Sequence, residues 1–148
     1  MLARTIDAHS ASTFSVRGAT VLPLAEAADT GGAWEAFVLD LAPGTSSPLH
    51  TLSADKLFSV LDGTVALTVD DRQVDAASGT SAHVPAGIAH RYENTSGRPA
   101  RMLVVTSDAS QLAFLRGMGR LAAGGPPSPE ALAAHTAAHG VRLLPVPA

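Results

Sequence analysis

Short apolar runs separated by turn-forming residues recur along the first two thirds of the chain. Val65, Leu67 and Val69 alternate with polar or small residues, which is the period of a strand with one buried face. Asp62-Gly63, which precedes this run, is a dipeptide typical of β-hairpins. Many short strands at regular spacing predict an all-β barrel or sandwich. The predicted strands lie in residues 34–41, 57–61, 65–69, 81–84, 91–93 and 101–106, and the chain turns at 70–73.

The pattern changes to a helical period near residue 108. Asp108 followed three residues later by Gln111 has the spacing of a capping box, so we expect a helix to begin there with Asp108 as its N-cap. The apolar residues that share one face of this helix are Leu112, Leu115 and Met118.

A second helix is predicted between Ser128 and Gly140. Ser128 is expected to be its N-cap, Pro129 its first residue and Gly140 its end. Residues 124–127 are expected to form a linker before this helix, and 141–144 a last strand or an extended tail. We therefore predict a single domain over residues 1–148, with a barrel over about 18–107 and a helical extension over 108–148.

Composition excludes several classes of partner. The net charge of −3 and the lack of a basic stretch argue against nucleic acid as a partner. The chain has no cysteine, which excludes disulfides and thiolate metal sites. No run approaches the roughly 18 apolar residues that span a membrane, and the first residues lack a secretory signal, so a cytoplasmic protein is expected.

Two motifs with fixed spacing carry the candidate chemistry. The downstream motif has the spacing G-x5-P-x-G-x2-H-x3-N and is complete. Its positions are filled by Gly79, Pro85, Gly87, His90 and Asn94.

The upstream motif keeps the spacing G-x5-H-x-H-x3-E-x6-G but differs at two positions. Leu52 stands at the second His position, and Lys56 stands at the Glu position. The remaining positions are filled by Gly44, His50 and Gly63.

Together the motifs resemble the two signatures of the cupin family. Residues 29–32, 99–103 and 129–141 extend the resemblance to the quercetin-dioxygenase-like branch of single-domain cupins, or monocupins. The resemblance implies a cupin jelly-roll β-barrel with short C-terminal α-helices, and a homodimer. It also implies a divalent metal held by His and Glu side chains, often with dioxygen as a reactant.

The two replaced positions weaken that metal site. Because alternate side chains of a strand share a face, His50 lies on one face with Leu52, and Lys56 lies on one face with Phe58. A protonated amine cannot ligate a cation, and two unit charges about 4 Å apart repel by roughly 4 kcal/mol at an effective dielectric constant of about 20. The chain therefore retains only His50 and His90 as ligands, for a weakly held divalent ion of Fe, Ni, Mn, Cu or Zn.

Lys56 has two interpretations. In the first, its ammonium takes the place of the metal, where it binds an anion, stabilises an enolate, or acts as an acid, a base or an amine nucleophile with His50 and His90 as partners. In the second, the site has decayed and Lys56 extends to the barrel mouth.

Three functions follow from these interpretations. The first is a metal-independent isomerase, cyclase or lyase that acts on a small organic molecule. The second is a metal-dependent dioxygenase that uses His50 and His90. The third is a non-catalytic protein that binds a small molecule in the same pocket.

Other side chains receive a structural or a lining role. We expect Leu52, Phe58, Tyr92 and Met102 to line the substrate pocket. His83 is expected on the outer sheet, His135 and His139 on a solvated helix face, and Asp55 pointing away from His50. Trp34 and Phe37 are expected in the core or at a dimer interface.

Overall fold

The computed structural model describes residues 3–145. It is mostly β-strand, with three helices in the described part, so the all-β prediction is confirmed. In chain order the elements are β1 (Phe14–Val16), β2 (Ala19–Ala25), α1 (Ala27–Thr30), β3 (Glu35–Leu41), β4 (His50–Leu52), β5 (Lys56–Asp62), β6 (Thr64–Val69), β7 (Arg72–Ala77), β8 (Ser81–Val84), β9 (His90–Glu93), β10 (Ala100–Thr106), α2 (Gln111–Ala122), α3 (Pro129–Ala138) and β11 (Val141–Leu143).

The strands form a jelly-roll of two antiparallel sheets. One sheet has six strands in the order β1-β2-β3-β10-β5-β8, and the other has five in the order β11-β4-β9-β6-β7. The apolar side chains of the two inner faces pack together as the core. Alternation sets this arrangement: Phe58 and Val60 on β5 and Met102 and Val104 on β10 are buried, whereas their neighbours along each strand are more exposed.

Asp62-Gly63 does not form the predicted hairpin. The strands on its two sides belong to different sheets, so the chain crosses the barrel at Gly63. Gly63 has φ +76°, and a Cβ there would lie 2.8 Å from the carbonyl oxygen of Pro99, so this crossing requires glycine. The hairpin of this region lies one strand later, between β6 and β7, where Asp70 has φ 58°.

Some strands have no clear apolar pattern in the sequence. β7 is exposed at every position except Ala76, so it lacks an apolar alternation, and its first two residues fall in the segment predicted as a turn. β1 precedes the predicted start of the barrel near residue 18, and it pairs with β2 from Phe14 to Val16.

The first long helix begins later than predicted. α2 starts at Gln111 with Ser110 as its N-cap residue, so Asp108 is not the N-cap. Asp108 Oδ1 instead accepts hydrogen bonds from the backbone N–H and the hydroxyl of Ser110, which closes a turn before the helix. The N–H of Leu112 in the first turn donates to Glu35 on β3, so a distant strand performs the capping.

The second helix follows its predicted boundaries. The Ser128 hydroxyl oxygen accepts a hydrogen bond from the N–H of Ala131, Pro129 is the first helical residue, and Gly140 follows the helix with φ +67°. β11 then pairs with β4, which attaches the C-terminal segment to the five-stranded sheet. Over the described residues, no helix is long and apolar enough to cross a membrane.

Candidate functional site

A cavity of about 180 Å³ lies between the barrel and the C-terminal segment. Barrel strands supply one part of its wall, and α2, α3 and β11 cover it. The lining side chains come from the barrel (Phe37, Leu39, His50, Lys56, Phe58, Tyr92, Val104), from the segments before β2 and β4 (Val16, Arg17, Thr45, Ser46, Ser47, Pro48) and from the covering elements (Gln111, Phe114, Leu115, Met118, Leu132, Thr136, Val141, Leu143). Most of this surface is apolar, so a polar group in the wall can orient a bound molecule.

Lys56 faces this cavity from the first residue of β5. Its side chain is buried, with 6% exposure, and its Nζ lies 5.1 Å from the ring centroid of Phe58. None of the ion pairs or side-chain hydrogen bonds between described residues involves Lys56. Burial lowers the pKa of Lys56 to about 7, against a smaller opposing effect of the Asp108 charge. Lys56 is therefore at the cavity wall, and the interpretation that it extends into solvent at the barrel mouth is wrong.

His50 lies at the start of β4 and lines the same cavity. Its Nδ1 is 2.7 Å from the carbonyl oxygen of Pro48. Because a carbonyl only accepts, Nδ1 carries the hydrogen and Nε2 of the neutral ring is the acceptor. Burial lowers the pKa of His50 to about 2, with the Lys56 charge as the second cause, so His50 is neutral at physiological pH.

His90 lies directly opposite His50 across the β4–β9 pair. The two ring centroids are 4.3 Å apart, and the Phe58 ring is 5.9 Å from the ring of His90. These neighbours leave His90 only 1% exposed and outside the cavity lining, which differs from the expectation that it points into the pocket. The ring bonds Ile88 O through Nδ1 at 2.9 Å, and its buried Nε2 has no partner among the described residues. Burial, with the Lys56 charge second, lowers the pKa of His90 to about 4.

The four predicted lining residues divide into two pairs. Phe58 and Tyr92 line the cavity, and burial raises the pKa of Tyr92 to about 12, so its phenol stays protonated. Leu52 and Met102 are buried but do not line it. Leu52 lies beside Val141 in the β4–β11 strand pair, and Met102 belongs to the core between the sheets, so both side chains are buried against protein.

Of the remaining candidates, only Phe37 lines the cavity. His83 is exposed on β8, and Asp55 accepts a hydrogen bond from the N–H of Ala86, so neither side chain lines the cavity. His135 and His139 are half-buried rather than solvated, because both rings pack against Phe114. For the aromatic pair expected in the core or at an interface, Phe37 is core and lines the cavity, whereas Trp34 is 46% exposed.

The sequence did not predict that Gln111 lines the cavity. Gln111 is the first residue of α2 and is 4% exposed. Nor did the sequence predict that the loop over residues 45–48 lines the cavity. That loop is fixed to β9, since Ser47 exchanges hydrogen bonds with the backbone of Tyr92 and Thr45 accepts one from Asn94. The available signal was the amphipathic pattern of α2, whose Leu115 and Met118 also face the cavity.

The residues present do not fit a tightly held divalent metal. In the part of the chain that the structure describes, no three His, Cys, Asp or Glu side chains are grouped to hold an ion. Only His50 and His90 remain as ligands, and the covered His90 lies beside a basic Lys56. The Lys56 charge already opposes protonation of both imidazoles, and it opposes a dication more strongly.

Comparison with known sequences finds a similarity over the middle of the chain. Residues 37–106 match the family model of the cupin domain. An uncharacterized protein of Streptomyces coelicolor is 34% identical over 67 residues, which cover 45% of this chain and 63% of that protein. The match therefore spans less than two thirds of the relative's length.

Solved structures show the same fold. An RmlC-like cupin from Shewanella frigidimarina is similar with a TM-score of 0.67 and 14% identity, over 76% of this chain and 96% of that one. The polyketide cyclase RemF from Streptomyces resistomycificus is similar with a TM-score of 0.63 and 21% identity, over 71% and 79% of the two chains. The quercetin-dioxygenase-like branch stays a prediction. Residues 37–106 are similar to the cupin domain, and the chain has the cupin jelly-roll fold.

Proposed function

We propose that the barrel binds a small organic molecule and that Lys56 transfers protons on it, without a tightly bound metal. The observation that carries this proposal is the amine itself: Lys56 is buried at the wall of an apolar cavity, and no carboxylate in the described part of the chain forms an ion pair with it. Buried charges are normally paired, so an amine in this setting is held for a ligand or for chemistry.

The cavity limits the size of the molecule. An apolar cavity of about 150 Å³ binds benzene, so about 180 Å³ admits one ring with a small substituent. Phe37, Phe58 and Val104 provide an apolar wall for such a ring, while Lys56 and Gln111 provide polar groups. The favoured ligand class is a compact, mostly apolar molecule with one carbonyl or acidic group.

The protonation state of Lys56 suits proton transfer. With a pKa of about 7, both forms of the side chain are populated at neutral pH. The neutral amine can take a proton from the carbon next to a carbonyl group, and the resulting ammonium then faces the enolate. At about 4 Å this attraction is worth roughly 4 kcal/mol at an effective dielectric constant of about 20. Return of the proton to another carbon completes an isomerisation.

His50 supports this step as a neutral hydrogen-bond acceptor. Its Nδ1–H is committed to Pro48 O, so Nε2 is the atom available for a ligand hydroxyl. A pKa of about 2 makes it a poor base, which leaves Lys56 as the proton carrier. His90 is covered, so we assign it a positioning role through its contact with the His50 ring.

The relatives support only the general class. RemF is a polyketide cyclase, and the similarity to RemF lies in the fold of the barrel. A metal-dependent dioxygenase is disfavoured by the donor set, and non-catalytic binding is separated from catalysis by experiment.

Proton exchange tests the proposal with acetophenone, which has one ring and a methyl ketone. Exchange of its methyl protons in D2O is followed by NMR with wild-type protein, with Lys56→Met and with His83→Ala, whose side chain lies outside the cavity. We expect exchange with wild type and His83→Ala, and a loss of at least about 100-fold in Lys56→Met, the scale of one acid–base group. Binding of acetophenone without any exchange would favour the non-catalytic function. Equal exchange by wild type and Lys56→Met would refute the role of the amine.

A further inference from the structure

Lys56 is the only lysine in the 148 residues, beside nine arginines. Lys56 is thus the one side-chain primary amine of the chain. It lies in the cavity wall and is 6% exposed. An arginine side chain stays protonated and is not a nucleophile, whereas a desolvated lysine can be one. The placement raises the question of what the amine can form a bond with.

We propose that Lys56 forms a Schiff base with a small aldehyde or ketone that enters the cavity. This inference rests on the proposed function, because both use the same cavity and the amine of Lys56. It adds a covalent step and a substrate class. The favoured substrate is a carbonyl compound with one ring or an equivalent apolar body, because the cavity holds about 180 Å³ and its wall is mainly apolar.

Two observations favour a nucleophilic amine over a permanent cation. Among residues 3–145 no carboxylate forms an ion pair with Lys56, so ion pairing within this range does not hold the charged form. The Phe58 ring face, 5.1 Å from Nζ, is a weak cation–π partner of the charged form and does not replace a carboxylate. The strand partners of Lys56 are Val84 on β8 and Thr106 on β10, neither of which carries a charge.

The titratable groups around Lys56 do not reverse this conclusion. His50 and His90 are neutral at physiological pH, and the phenol of Tyr92 stays protonated. Asp108 acts on the pKa of Lys56 in the raising direction but less strongly than burial lowers it. The net pKa of about 7 leaves about half of the amine neutral at pH 7, roughly a thousandfold more than at the ordinary value of 10.5.

The reaction balances without an oxidant or a metal. The lone pair of Nζ attacks the carbonyl carbon, the C=O π pair moves to oxygen, and a proton moves from nitrogen to that oxygen to give a carbinolamine. Protonation of the hydroxyl group releases water as the nitrogen lone pair forms the C=N bond. The overall change is amine plus carbonyl to imine plus water, and addition of water reverses it.

The test is reductive trapping with benzaldehyde and sodium cyanoborohydride, read by mass spectrometry of the intact protein and of its peptides. Because the chain has one lysine, benzylation has two possible amine sites, Lys56 and the chain's α-amino group, and peptide masses separate them. The variants are Lys56→Met and the exterior control His83→Ala. A lysine peptide in urea gives the reference rate for an exposed amine.

We expect one benzyl group on Lys56 in wild type and His83→Ala, formed at pH 7 at least about 100-fold faster than on the reference lysine. The rate should reach half its maximum near pH 7, and an excess of acetophenone should slow it by competing for the cavity. Label confined to the α-amino group, or label on Lys56 whose rate matches the reference, would overturn the inference.

The two proposals fail separately. Acetophenone exchange without trapping of benzaldehyde would leave proton transfer in place and refute the covalent step. Trapping at Lys56 without exchange would support the Schiff base and refute the proton-transfer function. If folded wild-type protein shows neither exchange nor trapping, both proposals are refuted.

Discussion

Glu35 on β3 accepts a hydrogen bond of 3.0 Å from the backbone N–H of Leu112 in the first turn of α2. The carboxyl group is 2% exposed, and the N-cap residue Ser110 makes no side-chain cap of its own. The contact joins two elements 77 residues apart. It therefore fixes the start of the helix that carries Gln111, Phe114, Leu115 and Met118 to the cavity.

Glu35→Ala should loosen this attachment. It leaves a buried helix N–H without its acceptor, at a cost of about 1–3 kcal/mol in the free energy of unfolding. Glu35→Gln keeps an acceptor oxygen and should lose much less. Urea unfolding followed by circular dichroism measures the difference. Equal losses in the two variants would show that the hydrogen bond is not the stabilising element.

The pH dependence of Glu35 has a defined sign. Burial is the largest cause that raises the pKa of Glu35 above 4.5, so the folded protein holds this proton more tightly than the unfolded chain. Stability from this group is present below pH 4.5 and is lost as pH rises through the folded pKa. Glu35→Gln should therefore gain stability relative to wild type as pH rises above 4.5.

Lys56→Met should stabilise the fold at low and neutral pH. The pKa of Lys56 in the folded protein is about 7, below the ordinary 10.5. The stability that depends on the neutral amine is therefore complete above pH 10.5 and is lost as pH falls through about 7. The variant removes this penalty, which is on the order of 2–5 kcal/mol below pH 7. Urea unfolding at pH 6 and pH 10 should show a gain at pH 6 that shrinks at pH 10. Arg72→Met on the exposed strand β7 is the control and should show no such gain. A loss of stability at pH 6 would contradict a desolvated ammonium.

The imidazoles of His50 and His90 should respond to the same substitution. The Lys56 charge is the second cause of both lowered pKa values, so Lys56→Met should raise both. In wild type, the stability that depends on neutral His90 is complete above pH 6.5 and is lost as pH falls through about 4. NMR titration of the ring protons measures the midpoints. A His90 midpoint near 6.5 in wild type would refute its burial beside the charge.

Gly117→Ala should weaken the packing of α2 on α3. A Cβ at Gly117 would clash with the His135 ring, which stacks on Phe114 and hydrogen-bonds its carbonyl oxygen at 2.8 Å. Alanine favours a helix by about 1 kcal/mol, so a net loss of about 1–3 kcal/mol identifies the clash as the stronger effect. Gly124→Ala meets open space and is the control. Replacing His135 by Ala in the Gly117→Ala background should recover stability if the clash is responsible.

Local patterns predicted much of the fold. The alternation in β6 and the capping signals of α3 act over a few residues, so they could be recognised from the sequence alone. The motif spacing singled out His50 and His90, and the structure shows them directly opposite each other on β4 and β9. In contrast, the dipeptide Asp62-Gly63 led to the prediction of a hairpin, which does not form. The sheet to which β5 or β6 belongs depends on the strands that pair with it, and most of these are not adjacent in sequence.

Long-range contacts account for what the sequence could not predict. Ser110, not Asp108, is the N-cap residue of α2. The carboxylate of Glu35, which is remote in sequence, accepts the hydrogen bond from the N–H of Leu112. Leu52 was expected in the pocket wall from its motif position, but it is buried beside β11 and does not line the cavity. Such outcomes depend on which distant strand or helix arrives beside a residue.

By itself the sequence determined the cupin motif spacing and the amine that stands in the carboxylate's position, since both are properties of residue order. Only the tertiary structure decided that this amine is enclosed by the barrel and by α2 and α3, and that no carboxylate within residues 3–145 pairs with it. The physical reason is desolvation, which acts through space: strands and helices separated by many residues together remove water from Lys56, and that removal lowers its pKa.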